Sequence, residues 1–292
     1  MRPRAIGTAP WARAVGTASW ARGLASSLYG NAAGGASPVP EGIEAWAERW
    51  KPILSRGWSG AANTQFVKAE YWQDFYETAS SRGGACTYEW GGSGRGIWRL
   101  ASRLDAAMPG RALRRAGQAP MPNALHAGCG MSALGPAVAS LGWSVTNSDF
   151  CEEAVGLLAG AEDLGLLAQA RLTARPWRRG RSEYAVADAL SPPSCWRGAF
   201  DAVVEKGLMD TILFGADSQS ALDRLARYAA AMDSLLVPGG TLFQLSDAPP
   251  EMRSEALAAF WATSDESSSS WSMHVRETGV DSLTLLVAQK PA

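Results

Sequence analysis

Asn123-Ala-Leu-His-Ala-Gly-Cys-Gly-Met-Ser-Ala-Leu134, followed by Asp149 at the close of the next apolar segment, decides the reading of this chain. A short strand runs into a glycine turn and then a helix, and an acid follows about twenty residues past the glycines. An α/β sheet uses this order to cradle an adenosine-containing cofactor. Gly128 and Gly130 let the backbone approach the ligand where a side chain would collide with it or forbid the turn. Asp149 is then placed to hydrogen-bond the ribose hydroxyls.

Working outward, acids recur at the ends of predicted strands. Tyr184-Ala-Val-Ala-Asp188 reads as a third strand closing in a carboxylate, and Phe200-Asp-Ala-Val-Val-Glu-Lys-Gly207 as a fourth. Leu236-Val-Pro-Gly-Gly-Thr-Leu-Phe-Gln244 supplies a Pro-Gly-Gly turn and a fifth strand. Trp271-Ser-Met-His-Val-Arg-Glu277 and Ser282-Leu-Thr-Leu-Leu-Val-Ala288 read as a closing antiparallel hairpin, after a solvated loop over residues 261–271. A nicotinamide dehydrogenase more often shows a third glycine where this chain has Ala133, and it explains Asp188 and the Glu205-Lys206-Gly207 element poorly.

At 292 residues the chain has room for one α/β domain with additions. A net charge of -1 leaves no electrostatic footprint for nucleic acid. The four cysteines lack Cys-x-x-Cys spacing and only two histidines accompany them, so neither a metal site nor a disulfide framework is expected. No apolar run reaches about eighteen residues, and no membrane-spanning helix is expected.

The first forty residues differ in composition from the rest. They hold Arg2, Arg4, Arg13 and Arg22 and no acid before Glu41, the pattern of an organelle transit peptide. Mitochondrion is favoured over plastid or cytoplasm. Three regions are expected: residues 1–36 as the transit peptide, residues 37–115 as a helical extension capping the cofactor site, and residues 116–292 as the catalytic domain. Ser37-Pro-Val-Pro40 marks the linker. Ile43, Trp46, Ala47 and Trp50 fall at helical spacing, and Pro52 is expected to stop that helix.

The succession from residue 120 onward resembles the class I methyltransferases that use S-adenosylmethionine. The segment ahead of it sharpens the resemblance. Tyr71-Trp72-Gln-Asp-Phe75-Tyr76, Tyr88-Glu89-Trp90 and Glu205-Lys206-Gly207-Leu-Met-Asp210 are similar to motifs of a protein-lysine methyltransferase group. That group includes the elongation factor 1A methyltransferases and a mitochondrial citrate synthase-lysine methyltransferase. The Gln244 to Arg253 tail resembles the citrate synthase-lysine methyltransferases of that group, which implies citrate synthase as the protein partner. The implied fold is a seven-stranded Rossmann-like sheet, mostly parallel, with an antiparallel C-terminal hairpin and an N-terminal helical cap. Elongation factor 1A, a small molecule, and a cofactor-binding protein without turnover remain the alternatives. The last is motivated by His126, which stands where many relatives have an acid, and by Leu208, which stands where they have threonine.

Methyl transfer from a sulfonium is an in-line displacement, so the protein must hold the nucleophile behind the methyl group and exclude water. A lysine must first lose a proton, which at pH 7 costs about 4.6 kcal/mol from a pKa near 10.4. Glu205 is the leading candidate to orient the amine, and Asp210 is the second. The resemblance implies cofactor contacts from Trp72, His126, Gly128, Cys129, Gly130, Asp149, Phe150, Asp188, Ala189 and Glu205. Tyr71, Tyr76, Tyr88 and Trp90 are expected to wall a lysine channel, their ring faces attracting the cation.

Overall fold

The computed structural model describes residues 43–56, 66, 68–81, 89, 94–163, 180–213, 218–262 and 270–292. The transit-peptide and linker expectations therefore lie outside the described residues. Most of the 261–271 loop does too. Residues 36–292 form one compact unit.

Five parallel strands lie in the order β3 (Ser182–Val186), β2 (Ser144–Asp149), β1 (Asn123–Ala127), β4 (Phe200–Lys206), β5 (Leu236–Ser246). Then β7 (Thr284–Gln289) pairs antiparallel to β5, and β6 (Ser272–Glu277) pairs antiparallel to β7 at the sheet edge. The seven-stranded sheet and its closing hairpin are as the sequence implies. The order reverses at β1, whose partners β2 and β4 lie on opposite sides. That switch point opens a crevice at the carboxyl ends of the strands. Four of the five β1 residues are buried, as in a strand covered on both faces.

The Pro238-Gly239-Gly240 expectation resolves as an irregularity inside β5. Phe200 pairs with Leu236 and Ala202 with Thr241, so four intervening positions of β5 stand against one of β4 and the strand bulges out of register. Gly239 takes φ 74°, which a side chain would resist.

Helices cover both faces. On one lies α3 (Gly94–Ala107), whose Ile97, Leu100, Ala101 and Leu104 pack with Ala124, Val204 and Phe243 of the sheet. On the other lie α1 (Ile43–Arg56), α8 (Ser218–Leu235) and α9 (Pro250–Trp261), sharing a core with Leu125, Val203 and Leu242. Between these come the short α4 (Arg111–Arg115), α5 (Leu134–Ala139), α6 (Glu152–Asp163) and α7 (Leu208–Leu213). Among the described residues of the expected cap, α2 (Ala69–Ser81) is the helix that leans over the glycine turn. The other two long helices of that segment are drawn onto the sheet by their apolar faces.

Contrary to expectation, Pro52 does not stop α1, which runs on to Arg56. The apolar stripe of Ile43, Trp46, Ala47 and Trp50 continues through Ile53 and Leu54, all packed in one core. The carbonyl that loses its proline partner belongs to the exposed residue Glu48, where water can satisfy it. Trp46 Nε1 donates to the Met252 carbonyl at 2.9 Å and Trp50 Nε1 to Glu255 at 3.0 Å, pinning α1 to α9.

Candidate functional site

A cleft open to solvent lies over the carboxyl ends of β1, β2 and β4. Its floor is the turn from Gly128 to Ser132, its far wall Asp149 and Phe150, and its near wall Lys206, Gly207, Leu208 and Thr211. Trp72 and Tyr76 of α2 close the top. The structure thus brings together seven expected residues: Trp72, Tyr76, Gly128, Cys129, Gly130, Asp149 and Phe150.

The turn depends on its glycines. Gly128 and Gly130 have φ 60° and 49°. A Cβ on Gly130 would stand 2.5 Å from the Tyr76 hydroxyl, and one on Gly128 would stand 3.0 Å from Leu208 Cδ1. Asp149 braces the turn by accepting the Gly130 amide at 2.9 Å and the Cys151 amide at 3.0 Å. Burial raises its pKa to about 6 against the pull of those amides. It is still mostly ionised at pH 7.

Several expected residues fall elsewhere. His126 is 1% exposed and does not reach the cleft. Its Nδ1 lies 3.3 Å from Asn147 Oδ1, and a Cβ on Gly135 of α5 would stand 3.0 Å from that nitrogen. Burial lowers its pKa to about 4, so the ring is neutral. It stands outside the cleft lining, its buried Nε2 without a hydrogen-bond partner.

Glu205 is a second correction. Alternation along β4 gives the cleft to Lys206 and sends Glu205, 0% exposed, into the polar interior. There it accepts the Leu208 amide at 2.8 Å and the Tyr228 hydroxyl at 3.2 Å. Burial raises its pKa to about 7. The residue holds the start of α7 in place and does not line the cleft.

Asp210, in the first turn of α7, is 2% exposed and accepts the Ser246 hydroxyl at 2.6 Å. Its Oδ2 has no hydrogen-bond partner. Burial and then the nearby Glu205 raise its pKa to about 8. Arg253, wholly buried, offsets both acids and donates to the Gln244 carbonyl at 3.2 Å and to Thr284 Oγ1. Gln244, Ser246 and Arg253, which carry the tail resemblance, are therefore interior groups.

Asp188 lies two residues past β3, its Oδ1 accepting the Leu190 amide at 3.0 Å and its buried Oδ2 without a partner. Ala189 packs in the core instead of lining the cleft. Tyr71 is also off the cleft, its ring 5.2 Å from those of Phe66 and Trp72. Tyr88 and Trp90 lie outside the described residues.

Lys206, Ser132, Met131 and Thr211 line the cleft without having been expected there. Glu89 was visible only as the middle of an aromatic motif. Its carboxylate accepts the Ala133 amide at 2.7 Å and the Ser132 hydroxyl at 2.9 Å, and lies 3.4 Å from Lys206 Nζ. Among the described residues, no group of acids, cysteines and histidines can hold a metal ion.

The sheet order, switch-point cleft and closing hairpin define a Rossmann-like class I methyltransferase fold. The [4+2]-cyclase SpnF shares it, with a TM-score of 0.50 and 17% identity over 80% of this chain and 97% of that one. Magnesium protoporphyrin IX methyltransferase from Synechocystis, solved with bound SAM, gives a TM-score of 0.48 and 15% identity over 79% and 98%. In sequence, the chain is 28% identical over 197 residues to EEF1A lysine methyltransferase 4 of Mus musculus. The match takes in 65% of this chain, and the chain spans 65% of that relative's length. No protein-family profile matches. A cyclase among the fold's members means that the reaction must be argued from the site.

The cleft fits an S-adenosyl cofactor on two observations. Both glycines of the turn leave space that a Cβ would fill, and past the end of β3, outside the cleft lining itself, Asp188 Oδ2 is a buried acceptor without a hydrogen-bond partner. Asp149 lies between them, its remaining lone pairs available to a ribose hydroxyl.

Proposed function

We propose that this chain is an S-adenosylmethionine-dependent methyltransferase that methylates a lysine side chain of a protein. The observation that carries the reading is the alignment of Asp188, Asp149 and the Gly128–Gly130 turn along adjacent strand ends, β3 to β1, under an aromatic helix. When bound, S-adenosylmethionine supplies an electrophilic methyl group on its sulfonium. Asp188 and Asp149 hold the nucleoside. Trp72 and Tyr76 exclude water.

Of the two acids expected to prepare the amine, Asp210 shares a short helix with the cleft residues Leu208 and Thr211, but like Glu205 it is buried outside the cleft lining. Burial and then Glu205 raise its pKa to about 8, so at pH 7 it is mostly protonated and only its ionised minority can accept a proton.

Two protein acceptors compete. Elongation factor 1A leads, on the name of the mouse relative. Citrate synthase, in the mitochondrial matrix, is second, supported by the acid-poor leader and by the Gln244 to Arg253 tail. The tail's burial moves its weight from substrate recognition to fold. Incubating the purified full chain with methyl-labelled cofactor and each acceptor separately tests the reading. Label on a lysine of either one identifies the substrate and eliminates both the inactive and small-molecule alternatives. Cofactor binding with neither acceptor labelled refutes these substrates.

A further inference from the structure

The tail from Gln244 to Arg253 carries a sequence resemblance yet contributes nothing to the cleft lining. Its polar side chains converge on α7 instead. Gln244 Nε2 donates to Met209 Sδ at 2.9 Å and to the Tyr228 hydroxyl at 3.1 Å. The Ser246 hydroxyl donates to Asp210 Oδ1 at 2.6 Å and accepts the Ala248 amide at 2.8 Å. Arg253 holds Gln244 from behind, donating to its carbonyl at 3.2 Å and its Oε1 at 3.3 Å, and reaches Thr284 of β7. Tyr228 passes the chain on to Glu205, whose other oxygen accepts the Leu208 amide. Leu208, Met209 and Asp210, which open α7, are thus each tied from behind.

A helix of six residues is too short to keep its own shape in water, so its position must come from its surroundings. Met209, Ile212 and Leu213 sink into the core and anchor one side of α7. Apolar burial has no direction, and it fixes the depth of a helix better than its rotation. Hydrogen bonds supply the rotation. The rotation matters because Leu208 and Thr211 form the near wall of the cleft, with Leu208 Cδ1 3.0 Å from where a Cβ on Gly128 would stand. A displacement of about 1 Å is enough to spoil a reacting geometry. Stability alone does not explain the choice of groups. Glu205, Asp210 and Arg253 are at most 2% exposed, and apolar residues of similar volume often hold a core as well as buried charges do.

We propose that Gln244, Ser246 and Arg253 are positioning residues that set the rotation of α7, and with it the near wall of the cleft, by acting through Met209 and Asp210. The support of the wall stands on the geometry. Its use in ligand binding rests on the S-adenosyl reading of the cleft.

Hydrogen exchange on the full chain, read by mass spectrometry at residues 208–213, tests the support, with α3 on the opposite face of the sheet as reference. Ser246→Ala is expected to speed exchange in 208–213 by about tenfold or more and to leave α3 within about twofold. In an Asp210→Ala background the same substitution should add less than about twofold, because its partner is already gone. Calorimetry should show S-adenosylhomocysteine bound about threefold or more weakly by Ser246→Ala. Unchanged exchange in 208–213, an equal rise in α3, or full additivity with Asp210→Ala makes the tail merely structural and overturns the proposal. Undiminished affinity in a variant whose α7 has loosened overturns it too. A wild-type chain that does not bind S-adenosylhomocysteine overturns the cofactor reading, and the exchange pattern then decides the support of the wall on its own. If thermal melting shows that Ser246→Ala does not fold, Ser246→Cys, which keeps the size and weakens the donor, is read by the same criteria.

Discussion

Replacing Gly130 by alanine tests how tightly α2 closes over the turn. Two penalties act together. Alanine at φ 49° costs about 1–2 kcal/mol for left-handed backbone. The new Cβ would also stand 2.5 Å from the Tyr76 hydroxyl, a contact that forces a shift costing about 1–3 kcal/mol. The Tyr76 ring is buried at 6% exposure and packs against Met131, Cys151 and Ala154, so it has little room to yield. Tyr76→Phe removes the offending oxygen and leaves Cζ as the nearest atom at 3.5 Å, an ordinary contact. The double variant should therefore recover the steric part and keep only the backbone part. Urea unfolding of both single variants and the double gives the coupling, expected at about 1–3 kcal/mol. If Gly130→Ala costs under about 0.5 kcal/mol, or if Tyr76→Phe recovers nothing, the placement of Tyr76 over the turn is wrong.

The interior acids predict a pH dependence. Asp210 and Glu205 have pKa values raised to about 8 and about 7, so their protonated forms favour the fold. That stability is fully present below about pH 4 and is lost as pH rises through 7 to 8. Denaturant titrations should show a loss on the order of 2–5 kcal/mol between pH 5 and 8.5, and Asp210→Asn should flatten it. An unchanged slope in the variant rejects the assignment. The leader gives a separate prediction: residues 1–36 fused to a fluorescent protein should carry it to mitochondria, and a diffuse cytosolic signal contradicts this.

The turn and the sheet were legible because they rest on local chemistry. Glycines at 128 and 130, an acid at 149 and apolar runs ending in polar groups report backbone needs directly. The direction in which side chains point was not. Strands β1 and β4 are covered on both faces, so no polar alternation distinguishes one face from the other. Sequence could not tell that Lys206 and not Glu205 meets the cleft, nor that His126 turns under α5. Pro52 misled because an exposed carbonyl tolerates the missing donor while the apolar stripe continues past it. Glu89 was visible only as the middle of an aromatic motif, since its partners Ser132, Ala133 and Lys206 are brought to it only by the fold.

Calorimetric titration of S-adenosylmethionine into the full chain, with Asp149→Ala alongside, tests the central claim most directly. Asp149 braces the glycine turn and lines the cleft where the proposed cofactor's ribose would lie, so removing its carboxylate leaves polar groups unpaired at a cost of about 1–3 kcal/mol. The account predicts saturable one-to-one binding by the wild type and roughly ten- to hundredfold weaker binding by the variant. No binding by the wild type, or equal binding by a folded Asp149→Ala variant, would contradict it.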